Sequence, residues 1–191
     1  MKKAILLVPA FAGTFFLGSV FGQEVQTFCE ECESTYISAE EIQEYLEVAM
    51  SDQQVRSVDI GKTQVQVAIS HRGRLEEPGG VAEHDLVTEI YYVISGSGTN
   101  VTGSDLVGAV PRAANNRAVR FLNGPGHNAT AIRNGTTHEL SAGDILVIPA
   151  GTGHQFTRID DHIRYVMIRI DPDKVVPLMD EGDSREYLRN R

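Results

Sequence analysis

Gly80-Val81-Ala82-Glu83-His84-Asp85-Leu86-Val87-Thr88-Glu89-Ile90-Tyr91-Tyr92-Val93-Ile94-Ser95-Gly96 and, further along, Gly143-Asp144-Ile145-Leu146-Val147-Ile148-Pro149-Ala150-Gly151-Thr152-Gly153-His154-Gln155-Phe156-Thr157-Arg158 are the two stretches that decide how this chain folds. Each couples an apolar, β-branched run to a histidine and is bounded by glycine, the pattern of short strands that end beside a polar site. A strand aims alternate side chains at one face. His84, Glu89 and, from a later strand, His154 are therefore able to converge on one point. Two imidazoles and a carboxylate are donors suited to Fe, Mn, Ni, Zn or Cu, and they leave coordination positions open for water, oxygen or substrate.

The same alternation extends outward from these stretches. Val65, Val67 and Ile69 alternate with Gln64, Gln66, Ala68 and Ser70. Further strands are expected at residues 89–95, 100–103, 119–122, 129–132, 144–149, 154–158 and 163–170, with Gly and Pro marking turns at 78–80, 96–98, 123–126, 134–135 and 150–153. Many short strands with a single clear helix predict an all-β sandwich or barrel. That helix is announced by the capping box Ser38-Ala39-Glu40-Glu41 and is expected over residues 38–50, with Ile42, Tyr45, Leu46 and Ala49 on its apolar face. Residues 104–116 read as an inserted loop that reaches the barrel mouth or a partner subunit, and the tail as a short helix near residues 184–188.

The two stretches resemble the paired motifs of the cupin superfamily. His84, Glu89 and Gly96 fall on the second histidine, the glutamate and the closing glycine of the first motif, and Gly143, Pro149, Gly151 and His154 fall on the second. The resemblance covers about residues 60–170. It implies a single jelly-roll β-barrel with an N-terminal helix and a short C-terminal extension, one divalent metal ion, and a homodimer, as in germin-like relatives. Two positions depart from the pattern. Ala82 stands where the family has its first histidine, so the ligand set falls to two histidines and one glutamate; His71, on the parity of Val65, Val67 and Ile69, is the candidate to compensate. Arg158 stands where the family has asparagine. It shares the parity of His154 and Phe156, so it is expected to face the cavity and bind a substrate carboxylate, or else to pair with Glu139, Asp160 or Asp161. Tyr91, two residues beyond Glu89, is similar in place to the tyrosine that some cupin lyases use as a base, and is the candidate catalytic residue. His127, His138 and His162 are expected at the surface.

The chain of 191 residues, 41% hydrophobic and 23% charged, has the bulk of one globular domain. Its organisation is read as a signal peptide over residues 1–22, an N-terminal extension over 23–54, the barrel domain over 55–171 and a tail over 172–191. The signal follows from Lys2-Lys3, the apolar run from Ala4 and the small residues before position 23, and places the protein in the periplasm or outside the cell, free of the membrane after cleavage. Cys29 and Cys32 then meet an oxidising compartment, which favours a disulfide. Asn100, Asn128 and Asn134 head glycosylation sequons. A net charge of −9 without a basic cluster excludes a nucleic-acid surface, leaving a small molecule as partner, with a carboxylate implied by Arg158. The expected function is a metal-dependent oxygenase or a lyase or isomerase acting on a small acidic molecule. The alternatives are a cupin that binds a ligand or metal without turnover, and an exported structural cupin.

Overall fold

A computed structural model describes residues 33–48 and 51–190. The signal segment and the pair Cys29 and Cys32 lie outside the described residues. The described residues form eleven strands and three helices: α1 (Ala39–Val48), β1 (Gln53–Asp59), β2 (Gln64–Leu75), β3 (Val81–His84), β4 (Thr88–Gly103), β5 (Asp105–Val107), β6 (Val110–Pro111), α2 (Arg117–Phe121), β7 (Gly126–Ala129), β8 (Ala131–Arg133), β9 (Thr136–Ser141), β10 (Ile145–Ile148), β11 (Gly153–Asp171) and α3 (Glu181–Arg189). Among the described residues no helix is long and apolar enough to cross a membrane.

Two long strands, β4 and β11, organise the fold because each serves both sheets. The half of β11 from Ile163 to Asp171 lies between β2 and the first half of β4, and β1 and β10 complete that sheet in the order β1-β2-β11-β4-β10. The other half of β11 lies between β3 and the second half of β4, giving β6-β7-β3-β11-β4-β9. All pairings are antiparallel, and two such sheets face to face make a jelly roll. Gly96-Ser97-Gly98, expected as a turn, is instead the bend at which β4 changes sheets. Gly96 adopts φ +75°, and a Cβ there would stand 1.9 Å from the carbonyl oxygen of His162, in the matching irregularity of β11. Glycine is required where the two bends touch.

The interior between the sheets is filled by Ala68, Tyr91, Val93, Leu140, Leu146, Ile148, Phe156, Ile159, Ile163, Tyr165 and Met167. Ala68, and not its neighbour Ile69, belongs to this core, so β2 turns Gln64, Gln66, Ala68 and Ser70 inward. The opposite face, with Val65, Val67 and Ile69, looks outward. There Ile69 joins Tyr45, Leu46 and Val55 in a second cluster under α1 and α3. Helix α1 starts as expected, with the Ser38 hydroxyl accepting the Glu41 amide at 3.1 Å. The Glu41 carboxylate does not close a capping box but pairs with buried Arg56 at 2.8 Å. Tyr45 donates its hydroxyl to the Ser184 carbonyl at 2.9 Å, tying α1 to α3.

Of residues 119–122, expected as a strand, 119–121 are helical and Leu122 is the C-cap. Asn116 caps α2 by accepting the Ala118 amide at 2.8 Å, and Gly124, at φ +67°, turns the chain away after it. The inserted segment carries β5, which pairs with β8, and β6, which pairs with β7.

Candidate metal centre

Three strands deliver the donors. His84 ends β3, Glu89 stands at the start of β4, and His154 opens β11; all are buried. Glu89 Oε2 lies 3.6 Å from His84 Nε2 and 3.4 Å from His154 Nε2. Two ligand atoms about 2.1 Å from one ion and about 90–110° apart are separated by about 3.0–3.4 Å, so the donor set fits a single divalent cation with little adjustment. The second motif's loop is fastened to the first: the Gly151 amide, at φ +76°, donates to the His84 carbonyl at 2.8 Å.

Each oxygen of Glu89 has a separate task. Oε2 faces the imidazoles and accepts the Tyr91 hydroxyl at 3.0 Å. Oε1 accepts Arg169 Nε at 2.8 Å and Asn123 Nδ2 at 3.1 Å. Arg169, fully buried, carries the network to Asp52 at 2.6 Å and Gln54 at 3.2 Å. Burial by itself raises the Glu89 carboxyl, but His84, Arg169 and His154 beside it outweigh this and hold it well below the usual carboxylate range. Burial also pushes His154 down to about 4, which keeps the ring neutral and its Nε2 lone pair available. Its Nδ1 faces the Thr152 carbonyl at 3.4 Å, the partner that orients a ligating imidazole. Tyr91 is pushed well above the ordinary phenol range, first by burial and then by Glu89 and Tyr165. It is held as a phenol that donates.

Ala82 lies opposite His154 across the β3–β11 pair and lines the cavity beside the centre, and among the described residues no further ligand joins the three donors. His71 does not supply one. It belongs to the outward face of β2, pairs across to Arg164 and meets His162 edge to face at 6.1 Å. Arg158 is likewise not brought to the site. A bulge between Phe156 and Arg158 reverses its parity, and its side chain, 68% exposed, donates to Asp160 at 2.7 Å. Glu83 and Asp85 point away from the centre, as expected, and share His127 at 2.9 and 3.2 Å. His127, His138 and His162 are half-buried, each bonded to a neighbouring side chain. Complete burial of Asn100 removes that sequon as a modification site.

The cavity over the centre, about 390 Å³, is lined by His84, Glu89, Tyr91 and His154 together with Arg72, Arg112, Asn116, Arg117 and Asn123. Arg169, Asn123 and Arg112 were missed from sequence. Only Arg169 carried a signal, since it sits on the buried parity of Tyr165 and Met167, where a lone guanidinium demands a carboxylate.

The glycines, proline and histidines of both motifs thus occupy the bends, turn and strand ends of an antiparallel jelly roll. The chain takes the cupin fold. The AraC-like ligand binding domain family matches the chain over residues 131–189. No curated protein matches it. Among solved structures it is similar to a Bacillus halodurans protein at 16% identity, covering 80% of this chain and 95% of that one with a TM-score of 0.46. A cupin protein from Bacteroides fragilis follows at 17% identity, with 77% and 90% covered and a TM-score of 0.37. The DMSP lyase DddQ from Ruegeria pomeroyi is similar at 12% identity, with 77% and 58% covered and a TM-score of 0.42. Likenesses this distant say nothing of activity.

Proposed function

We propose that this protein is an exported, metal-dependent cupin enzyme that acts on a small acidic molecule at the His84–Glu89–His154 centre. The observation that carries the reading is the convergence of those three donors, buried and preoriented, on a cavity whose fourth protein position is Ala82. A divalent ion held there would supply Lewis acidity, polarising a substrate oxygen or acidifying bound water. The chain's own groups do the rest. Asn123 and Arg169 hold Glu89 in one orientation, and the Tyr91 hydroxyl, which belongs to the cavity wall and donates to Glu89 Oε2, is the group placed to exchange a proton with a bound substrate. The basic wall of Arg72, Arg112 and Arg117 supports an acidic substrate. The exposed Tyr92, Ile145 and Val147 on the outer face of β4 and β10 support a homodimer. The signal-like segment before residue 23 supports export.

Elemental analysis of the purified protein tests the reading. One equivalent of a first-row divalent metal is expected, falling to background in His84→Ala and His154→Ala. Metal content unchanged by both substitutions overturns it.

A further inference from the structure

With 26 acidic and 17 basic residues, the chain has acids in excess as partners for its arginines. Arg56, Arg74, Arg133, Arg158, Arg169 and Arg185 all pair with carboxylates. Among the described residues Arg72, Arg112, Arg117, Arg120, Arg164 and Arg189 make no such pair, and of these Arg72, Arg112 and Arg117 line one cavity above the metal centre.

Each is held by contacts other than a direct carboxylate pair. Arg72, on β2, donates Nε to the Tyr165 hydroxyl at 2.8 Å and lies over the Phe156 ring at 5.5 Å. Both partners are neutral. Arg112 is locked into the wall by the carbonyls of Glu83 at 2.5 Å and His127 at 3.0 Å and by Asn128 at 3.0 Å, while its Nη1 is buried without a partner. Arg117 opens α2 at the cavity rim and is exposed. The acids that line the same cavity are already committed, since Asp52 and Glu89 both bind Arg169. With the ion in place, the cavity carries an excess of positive charge that one monoanion would not neutralise.

We propose that the cavity takes a small organic dianion of the dicarboxylate class, bound through Arg72 and Arg117 with Arg112 as a fixed positive charge in the wall. Guanidinium groups bind carboxylates through paired, charge-assisted hydrogen bonds, and a cavity of about 390 Å³ is at the small end of ligand sites. The proposal rests on the metal-centre reading and moves anion recognition from Arg158 to residues on β2 and α2.

The test is calorimetric titration of zinc-loaded protein with malonate, succinate and glutarate, with succinamide as the uncharged control. At least one dicarboxylate is expected to bind and succinamide is not. Arg72→Ala and Arg117→Ala, both at exposed positions, are each expected to weaken binding roughly tenfold, while Arg158→Ala leaves it unchanged. Absence of binding by all three dicarboxylates, or binding that survives both substitutions, overturns the proposal. Zinc content measured on the same samples separates the two readings. Stoichiometric zinc without anion binding refutes the dianion and spares the centre, whereas anion binding in protein that takes up no zinc keeps the anion site and refutes the centre.

Discussion

Replacing Arg169 with methionine tests whether Glu89 is a metal ligand held in place from behind. The guanidinium is fully buried and spans Glu89 at 2.8 Å and Asp52 at 2.6 Å. Methionine fills much of its volume but leaves two carboxylates, one of them buried, without a cation. Breaking a buried pair in this way costs about 3–5 kcal/mol, which for a protein of this size is a fall in Tm of roughly 6–20 °C. Loss of the group that orients a ligand also weakens metal binding by roughly 10–100-fold. Thermal melts at pH 7 with and without zinc, together with chelator competition, measure both effects. Zinc should widen the gap in Tm between Arg169→Met and the unaltered protein, because an ion bound more weakly by the variant stabilises its fold less. Arg169→Lys, which keeps the charge and loses the fork, should fall between. A methionine variant that melts within a degree of the parent and binds zinc equally well would refute the reasoning.

Three further outcomes are expected. The His154 ring takes its proton near 6.5 in the unfolded chain but near 4 in the metal-free fold. Between those values the unfolded chain binds more protons, so metal-free stability should fall as pH drops from about 6.5 towards 4, by about 3 kcal/mol in total; denaturant melts of His154→Ala should lose most of that slope. Ala82→His should add a fourth ligand and raise zinc affinity at least about tenfold, read by chelator competition, and no gain would show that the position does not reach the ion. Ile145→Asp with Val147→Asp, on the exposed face of β10, should convert a dimer to a monomer in sedimentation, and a parent that sediments as a monomer sinks the dimer reading.

The centre was legible because its spacing is strict: His84, Glu89 and His154 sit at strand ends, where the motif glycines and Pro149 leave few alternatives. Face assignment elsewhere was not. In β2 the apolar residues look outward, since α1 and α3 cover that face with Tyr45, Leu46, Tyr187 and Leu188. The inward residues include Gln64 and Gln66, which serve Val176 and Asp171. A periodicity reading takes the apolar face for the interior, and a sheet covered on both sides defeats it. For Arg158 the failure was smaller: one extra residue in β11 inverts every later side chain until the register recovers. Residues 119–122 have strand-like composition, and only the cap at Asn116 and the positive φ at Gly124 make 119–121 helical. Arg72 and Arg117 gave no signal at all, because an unpaired cation is visible only when its neighbours are known.

The divided labour of the Glu89 oxygens has a reach beyond the centre itself. One oxygen looks to the ion and the other, through Arg169, to Asp52 and Gln54, which stand where the chain passes from α1 into β1. Whatever the ion gains from a well-seated carboxylate it must return, by reciprocity, as firmer seating of that N-terminal arm. Occupancy of the centre should therefore slow amide exchange along β1, at a distance no ligand touches.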